Sequence, residues 1–391
     1  MVGGVYSDQR CAICKGPFKD NGRDGLVCPN HPEQRATRFK VKFGRAICRR
    51  FGGDYKAAQR FLNGLRYKHD EGTFDVRDYK SDNPLGFETL ALKWLDQKRK
   101  DLKIKSWNNL NNYMNKAILV WGNRNIKVIN DGDIEDFLYV VKVSAKTRNN
   151  MKSCLHDFWK WVVRREKRQG KKIVDMPEFP DCPYKLGWRQ IIDIETQQQI
   201  IGEVYRLTYH INPKIWLGMR WLSRYTMIRP GELLGVTEGQ INTKIPAIII
   251  PDPKGGEPVL VFLHEDDVEE VEKLPRGLPD LPFFRHLGGI QSVRPGQKFG
   301  EKYLYKWWVR ACANLGVKGV DLYGGTRHST LTALGEFLSP EEVKKGSLHK
   351  TNKALERYLQ GKARYAKKVS DQVLKMQKDK ESKVIKFKKK K

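Results

Sequence analysis

"DLYGGTRHSTLTALGEFLSPEEV", residues 321–343, sets Arg327 and His328 directly behind two glycines and ahead of an apolar helical pattern. Leu331, Leu334, Phe337 and Leu338 fall on one face of a helix beginning near Thr326, so Arg327 is expected close to a helix N-terminus, where backbone N–H groups attract anions. Ser339 and Pro340 then cap a short helix that stops at Gly346. In "SLHKTNKALERYLQG", residues 347–361, His349 lies in the connection and Tyr358 within the next helix, on a face shared with Leu355 and Leu359. Alone, such a tyrosine is a packed core residue and such an arginine a structural cation. What decides is whether other chemistry converges on the same point.

Upstream, Asn212 and Pro213 start a helix, and "RYTMIRPGELLGV", residues 224–236, follows it with Pro230 suited to the first turn of the next. Arg229 therefore falls in the turn between two helices, with Glu232 placed to pair with it. An arginine fixed by a carboxylate presents a rigid fork that suits a pair of phosphate oxygens better than a mobile lysine does. "AIIIPDPKGGEPVLVFL", residues 247–263, reads as two strands around a turn containing Gly255 and Gly256, with Lys254 at the hairpin tip. "HEDDVEEVE", residues 264–272, reads as an exposed acidic helix face.

The whole chain favours a phosphate-rich partner. It has 391 residues, longer than one ordinary core of roughly 100 to 200 residues, and its 74 Lys/Arg against 45 Asp/Glu give a net charge of +29. No apolar run approaches the roughly 18 to 20 residues of a membrane-spanning helix, and the N-terminus lacks a signal-type apolar segment, which predicts a cytoplasmic protein with no membrane partner. Seven cysteines, an odd number in such a chain, argue against a disulfide framework. Three of them group in "CAICKGPFKDNGRDGLVCPNHPE", residues 11–33, where Cys11 with Cys14 and Cys28 with His31 form two knuckles able to close a tetrahedral shell around a structural zinc.

These signals divide the chain into a multidomain, mainly α architecture with β. Residues 1–80 read as a small basic α+β module: "ATRFKVKFG", residues 36–44, alternates as a strand and "DYKAAQRFLNGLRYKH", residues 54–69, follows as a helix. After a linker at 79–86, residues 84–169 read as a four-helix unit with Ser106 and Ser144 as N-caps and with Trp159 and Trp161 as core or interface residues. A second linker, 164–184, precedes an α/β-containing domain at 185–365 and a basic tail at 366–391.

The order of an arginine in R-x-x-E, a hairpin lysine, an arginine followed by histidine, then a histidine nine residues before a tyrosine resembles the tyrosine recombinase, or phage integrase, family over residues 185–365. The helical unit resembles that family's core-site-binding domain, and the N-terminal module looks more loosely like an arm-site-binding domain. The resemblance implies an enzyme in which Tyr358 attacks a scissile phosphate and stores the bond as a 3′-phosphotyrosyl link, needing neither ATP nor a catalytic metal. Arg229 and Arg327 would clamp the phosphate, Lys254 would protonate the leaving 5′-oxygen, His349 would assist, and Glu232, His328 and Tyr323 would support them. It further implies double-stranded DNA as partner, a homotetramer on that DNA in a bacterial or phage-infected cell, and a host DNA-bending or directionality factor. Two positions depart from the family pattern. Gly324 stands three residues before Arg327, where a histidine, lysine or tyrosine is usual, with Tyr323 one residue earlier; Met227 stands where the family's first motif has glycine. A non-cutting DNA-binding protein on the same scaffold and a chromosome-dimer resolvase are the alternative readings.

Overall fold

The computed structural model describes residues 3–23, 25–168, 175–185, 187–253, 256–288, 293–349, 351–356, 358, 370–376 and 378. The chain forms two compact units, Met1–Leu186 and Gly187–Lys391. Among the described residues no helix is long and apolar enough to cross a membrane. Most of the basic tail lies outside the described residues.

The first unit opens with strands β1 (Gly4–Tyr6), β2 (Lys19–Asp20), β3 (Leu26–Val27), β4 (Phe39–Phe43) and β5 (Ile47–Phe51), followed by helix α1 (Tyr55–Asp70). Strands β1, β4 and β5 pair antiparallel in that order. The alternation in β4 turns Phe39, Val41 and Phe43 inward, against Ala58, Leu62 and Leu65 of α1. Asp54 caps α1 by accepting from Ala57 N at 2.8 Å.

Helices α2 (Phe87–Asp101), α3 (Ile104–Trp121), α4 (Asp131–Val140) and α5 (Ala145–Arg168) complete the unit. Phe87, Trp94, Phe158 and Trp159 meet edge-on or tilted in their core, which makes Trp159 a packing residue. Trp161 is half-buried against the same core and donates to Gln97 Oε1 at 2.7 Å. Ser144 caps α5, accepting from Thr147 N at 3.3 Å. Ser106 does not cap α3: that helix starts earlier, with Lys103 in the cap position and Ser106 inside the first turn. The earlier start lets Trp107 Nε1 reach Leu95 O at 3.0 Å.

The second unit contains α6 (Ile194–Thr208), α7 (Pro213–Arg224), α8 (Pro230–Leu233), β6 (Ile241–Asn242), β7 (Ala247–Ile250), β8 (Val259–Phe262), α9 (Glu265–Glu272), α10 (Tyr303–Asn314), α11 (Ser329–Leu334), α12 (Pro340–Ser347) and α13 (Asn352–Leu355). The three strands form an antiparallel sheet in sequence order. Its core joins Ile200, Val204, Leu217, Trp221, Phe284 and Trp308. The acidic segment forms α9, but it is not wholly an exposed face. Helical period carries Asp267 inward with Val271, and the buried Asp267 pairs with Arg220 and Arg224 at 2.9 and 3.0 Å and accepts from Tyr225 OH at 2.5 Å. That cluster ties α9 to the end of α7, the helix that leads into Arg229.

Candidate active site

Asn212 accepts from Lys214 N at 3.2 Å and Pro213 occupies the first turn, so α7 begins where the sequence indicates. Its end delivers Arg229 to the cap position of α8. There Arg229 N donates to Glu232 Oε2 at 3.0 Å, and Nη1 donates to Oε1 at 3.1 Å. Glu232 thus fixes both the backbone and the guanidinium of Arg229, leaving the latter partly open.

Arg327 is not at a helix N-terminus. The helical turn already begins at Leu322, and residues Gly324–His328 form a π turn, closed by Ser329 N–H reaching Gly324 O. A π turn holds one residue more than an α turn and recurs at functional sites. Two glycines permit it. A Cβ on Gly325 would lie 2.1 Å from Trp308 Cζ2, and one on Gly324 would lie 2.5 Å from Gln190 O. The side chain expected at position 324 therefore has no room, and the extra residue of the turn brings Tyr323, four before Arg327, over the face that a residue three before would occupy in an α-helix.

Arg327 is 1% exposed. Its Nη2 donates to Ser347 O at 3.0 Å, while among the described residues Nε and Nη1 have no acceptor. Burial lowers the pKa of this guanidinium, and the nearby Arg229 adds to that effect. An anion between the two would offset both the burial and the like-charge repulsion.

Capping of α12 by Ser339 and Glu342 holds the helix that presents Ser347 and His349. The helix ends at Ser347, one residue beyond Gly346. Ser347 Oγ donates to Val343 O at 2.6 Å and lies 2.6 Å from His349 Nδ1. With its proton committed to Val343, Ser347 accepts from Nδ1–H, which leaves a lone pair on Nε2, without a partner among the described residues. Burial, with Arg327 and Arg229 beside it, pushes the His349 pKa down to about 4, so this imidazole is neutral near pH 7.

Tyr358 sits just after α13, not within a longer helix, and packs on Leu331, Val343 and Leu355. Its carbonyl accepts from Thr332 Oγ1 at 2.5 Å. The His328 ring stacks on it at 4.1 Å, the His349 ring lies at 4.4 Å, and Arg327 Cζ lies 5.6 Å from its centroid. Tyr323 and Tyr358 share a hydrogen bond between their hydroxyls at 3.0 Å. Burial raises the Tyr323 pKa to about 12, keeping it a neutral hydroxyl, and lowers that of His328 to about 4.

Arg229, Glu232, Tyr323, Arg327, His328, His349 and Tyr358 thus gather around one point. Lys254, in the connection between β7 and β8, lies outside the described residues, as does Leu359. A groove of about 490 Å³ runs past Arg229 and His349 and is lined also by Met227, Val259, Lys344 and Leu348. The sequence reading missed Ser347, whose two contacts orient both Arg327 and His349; its only local signal is a serine two residues before the histidine.

In the first unit, the ligating atoms of Cys11, Cys14, Cys28 and His31 lie within 4.8 Å of one another. Cys14 and Cys28 Sγ are 3.4 Å apart, and His31 Nδ1 is 3.8 Å from Cys11 Sγ and 3.9 Å from Cys28 Sγ. Tetrahedral zinc with bonds of about 2.0 to 2.3 Å spaces its ligands by about 3.6 to 3.8 Å, so this donor set fits the ion.

Solved structures reproduce this arrangement of elements. A lambda integrase dimer bound to a COC′ core site is 13% identical, with a TM-score of 0.51 over 87% of this chain and 95% of that chain. The Tn1549 transposon integrase in complex with transposon right end DNA is 12% identical, with a TM-score of 0.53 over 73% of this chain and 99% of that one. The XerH site-specific recombinase bound to palindromic difH substrate is 17% identical, with a TM-score of 0.54 over 78% and 88%. The chain has the tyrosine recombinase fold. No family model and no curated protein matches its sequence.

Proposed function

We propose that the chain is a site-specific DNA recombinase that cleaves and rejoins duplex DNA through a 3′-phosphotyrosyl intermediate, integrating or excising a phage or other mobile element. The observation that carries this reading is the buried Arg327, two of whose N–H groups have no partner among the described residues, with Tyr358, Arg229 and His349 close by. The solved relatives in complex with DNA support it.

In this mechanism Tyr358 Oη forms a bond to phosphorus as the bond to the 5′-oxygen breaks. The tyrosine proton passes to His349 Nε2, and the leaving 5′-oxygen takes one from Lys254. Negative charge growing on the non-bridging oxygens is held by Arg229 and Arg327, two preorganised donors whose geometry Glu232 and Ser347 O fix. Rejoining reverses the steps, with a 5′-hydroxyl attacking the phosphotyrosine. No nucleotide or catalytic metal enters. Cys11, Cys14, Cys28 and His31 would hold a structural zinc that keeps the small β2–β3 segment folded. Double-stranded DNA is the partner, a homotetramer on it the working assembly, a host DNA-bending or directionality factor an accessory, and the bacterial cytoplasm the setting.

The test is a nicked duplex carrying the cognate site, in EDTA and without nucleotide. Wild type forms a denaturation-resistant adduct and Tyr358→Phe does not. An undiminished adduct in the Phe variant removes Tyr358 as nucleophile; specific binding with no adduct from either protein favours a non-cutting DNA-binding role.

A further inference from the structure

Between the sheet and helix of the N-terminal module and the bundle α2–α5 the chain is pinned at both ends. Phe74, Val76 and Tyr79 pack on the module's core, while Leu85 is buried in the bundle's core. The polar residues of the same strap are fixed as well. Arg77 Nη1 and Nη2 donate to Glu166 Oε1 and Oε2 of α5 at 3.1 and 2.6 Å, and its Nε donates to Asp75 Oδ1 at 3.1 Å. Lys127 pairs with Asp75 at 3.2 Å and Asp78 at 2.9 Å, and Asn125 Nδ2 donates to Asp78 Oδ1 at 2.8 Å. Glu166 and Asp75 are 3% and 5% exposed. Two carboxylates this deeply buried are tolerable only while their cations stay in place, because separating them strands a buried charge. A tether that swung freely would strand them at each excursion.

We propose that the module and the bundle are one rigid DNA-binding body, so the module engages duplex contiguous with the segment that the bundle grips, at a fixed helical phase, instead of a separate remote site. This rests on the DNA-binding reading above.

Two measurements on the full chain test it. In native trypsin digestion, Lys80, exposed within the strap, is cut slowly in wild type and about tenfold or more faster in Arg77→Ala, because cleavage follows the population of the opened strap. Glu166→Gln, which keeps the side-chain shape, changes the rate in the same direction. Equal rates in all three proteins overturn the proposal. In hydroxyl-radical footprinting on a cognate duplex, wild type protects one continuous stretch per protomer, and about 5 base pairs inserted at the inner edge of the module's share, half a helical turn, weaken binding about tenfold. Two protected stretches that can be spaced apart without loss overturn the proposal, and if the Tyr358 adduct still forms the recombinase reading stands. Absence of any protection overturns both.

Discussion

Two arginines sit at the centres of the two units' polar clusters, and they are satisfied to different degrees. Arg77 directs its fork at Glu166 and its Nε and Nη2 at Asp75. Arg327, more deeply buried, donates from Nη2 to Ser347 O, and among the described residues its Nε and Nη1 have no acceptor. Leaving donors of a buried cation unmet costs free energy that folding alone does not recover. The first cluster is therefore explained by architecture. The second would be relieved by an anion, since burial and the neighbouring Arg229 both act against the charge of Arg327. Counting satisfied donors separates the two where residue type does not.

Acid should separate the clusters most strongly. His328 and His349 are each held near pKa 4 against an ordinary 6.5, so the unfolded chain binds more protons than the folded one between those values. Their contribution is complete above pH 6.5 and is lost as pH falls toward 4, a loss on the order of 5 kcal/mol for the pair. Asp75 behaves otherwise. Burial opposes its ionisation, but hydrogen bonds from Arg77 and Lys127 outweigh it and hold the carboxyl well below the usual 3.8, so its contribution is lost only below that value. Hydrogen exchange at pH 4.5 should show peptides spanning 322–334 and 343–349 losing protection while those spanning 74–79 and 160–168 keep theirs. Equal loss in both would break the comparison.

Substitution inverts the pattern. Arg77→Ala strands Asp75 and Glu166 and should destabilise the first unit by about 3 to 5 kcal/mol in urea unfolding. It should leave single-turnover cleavage of prebound DNA unchanged. Arg327→Ala should keep the unfolding midpoint of the second unit at or above wild type, while cleavage falls by about 10²- to 10³-fold. A stability loss in Arg327→Ala as large as that in Arg77→Ala would make Arg327 a structural cation after all.

What was legible in the sequence was what local chemistry encodes. Caps and prolines at Asn212, Pro230 and Ser339 gave the helices that carry Arg229 and His349, and apolar period gave the strands beside Lys254 and the four helices of the bundle. What was not legible depends on partners distant in the chain. Asp267 is buried because Arg220 and Arg224, 47 and 43 residues earlier, can reach it. Glu166 is buried because Arg77, 89 residues away, supplies its fork. The π turn at Gly324–His328 is the clearest case: the glycine pair is visible in the sequence, but the ring of Trp308 and the carbonyl of Gln190 that require it are not.

That turn carries the finest distinction. If its extra residue serves only to fit the glycines under Trp308, the hydroxyl of Tyr323 is incidental, and Tyr323→Phe should leave cleavage as it is. If the turn aligns Tyr323 with Arg327, its neutral hydroxyl holds Tyr358 Oη at 3.0 Å before attack and is free to donate to a phosphate oxygen once the tyrosine bonds to phosphorus. One such neutral hydrogen bond is worth about 0.5 to 1.5 kcal/mol, so Tyr323→Phe should slow adduct formation by about two- to tenfold with DNA affinity unchanged. Tyr323→His offers the imidazole donor expected from the sequence three residues before Arg327, one residue out of that register. Recovery of rate by histidine at 323 would show that the π turn has moved the position, not abolished it; a histidine variant slower than phenylalanine would show that the site accepts only the phenol.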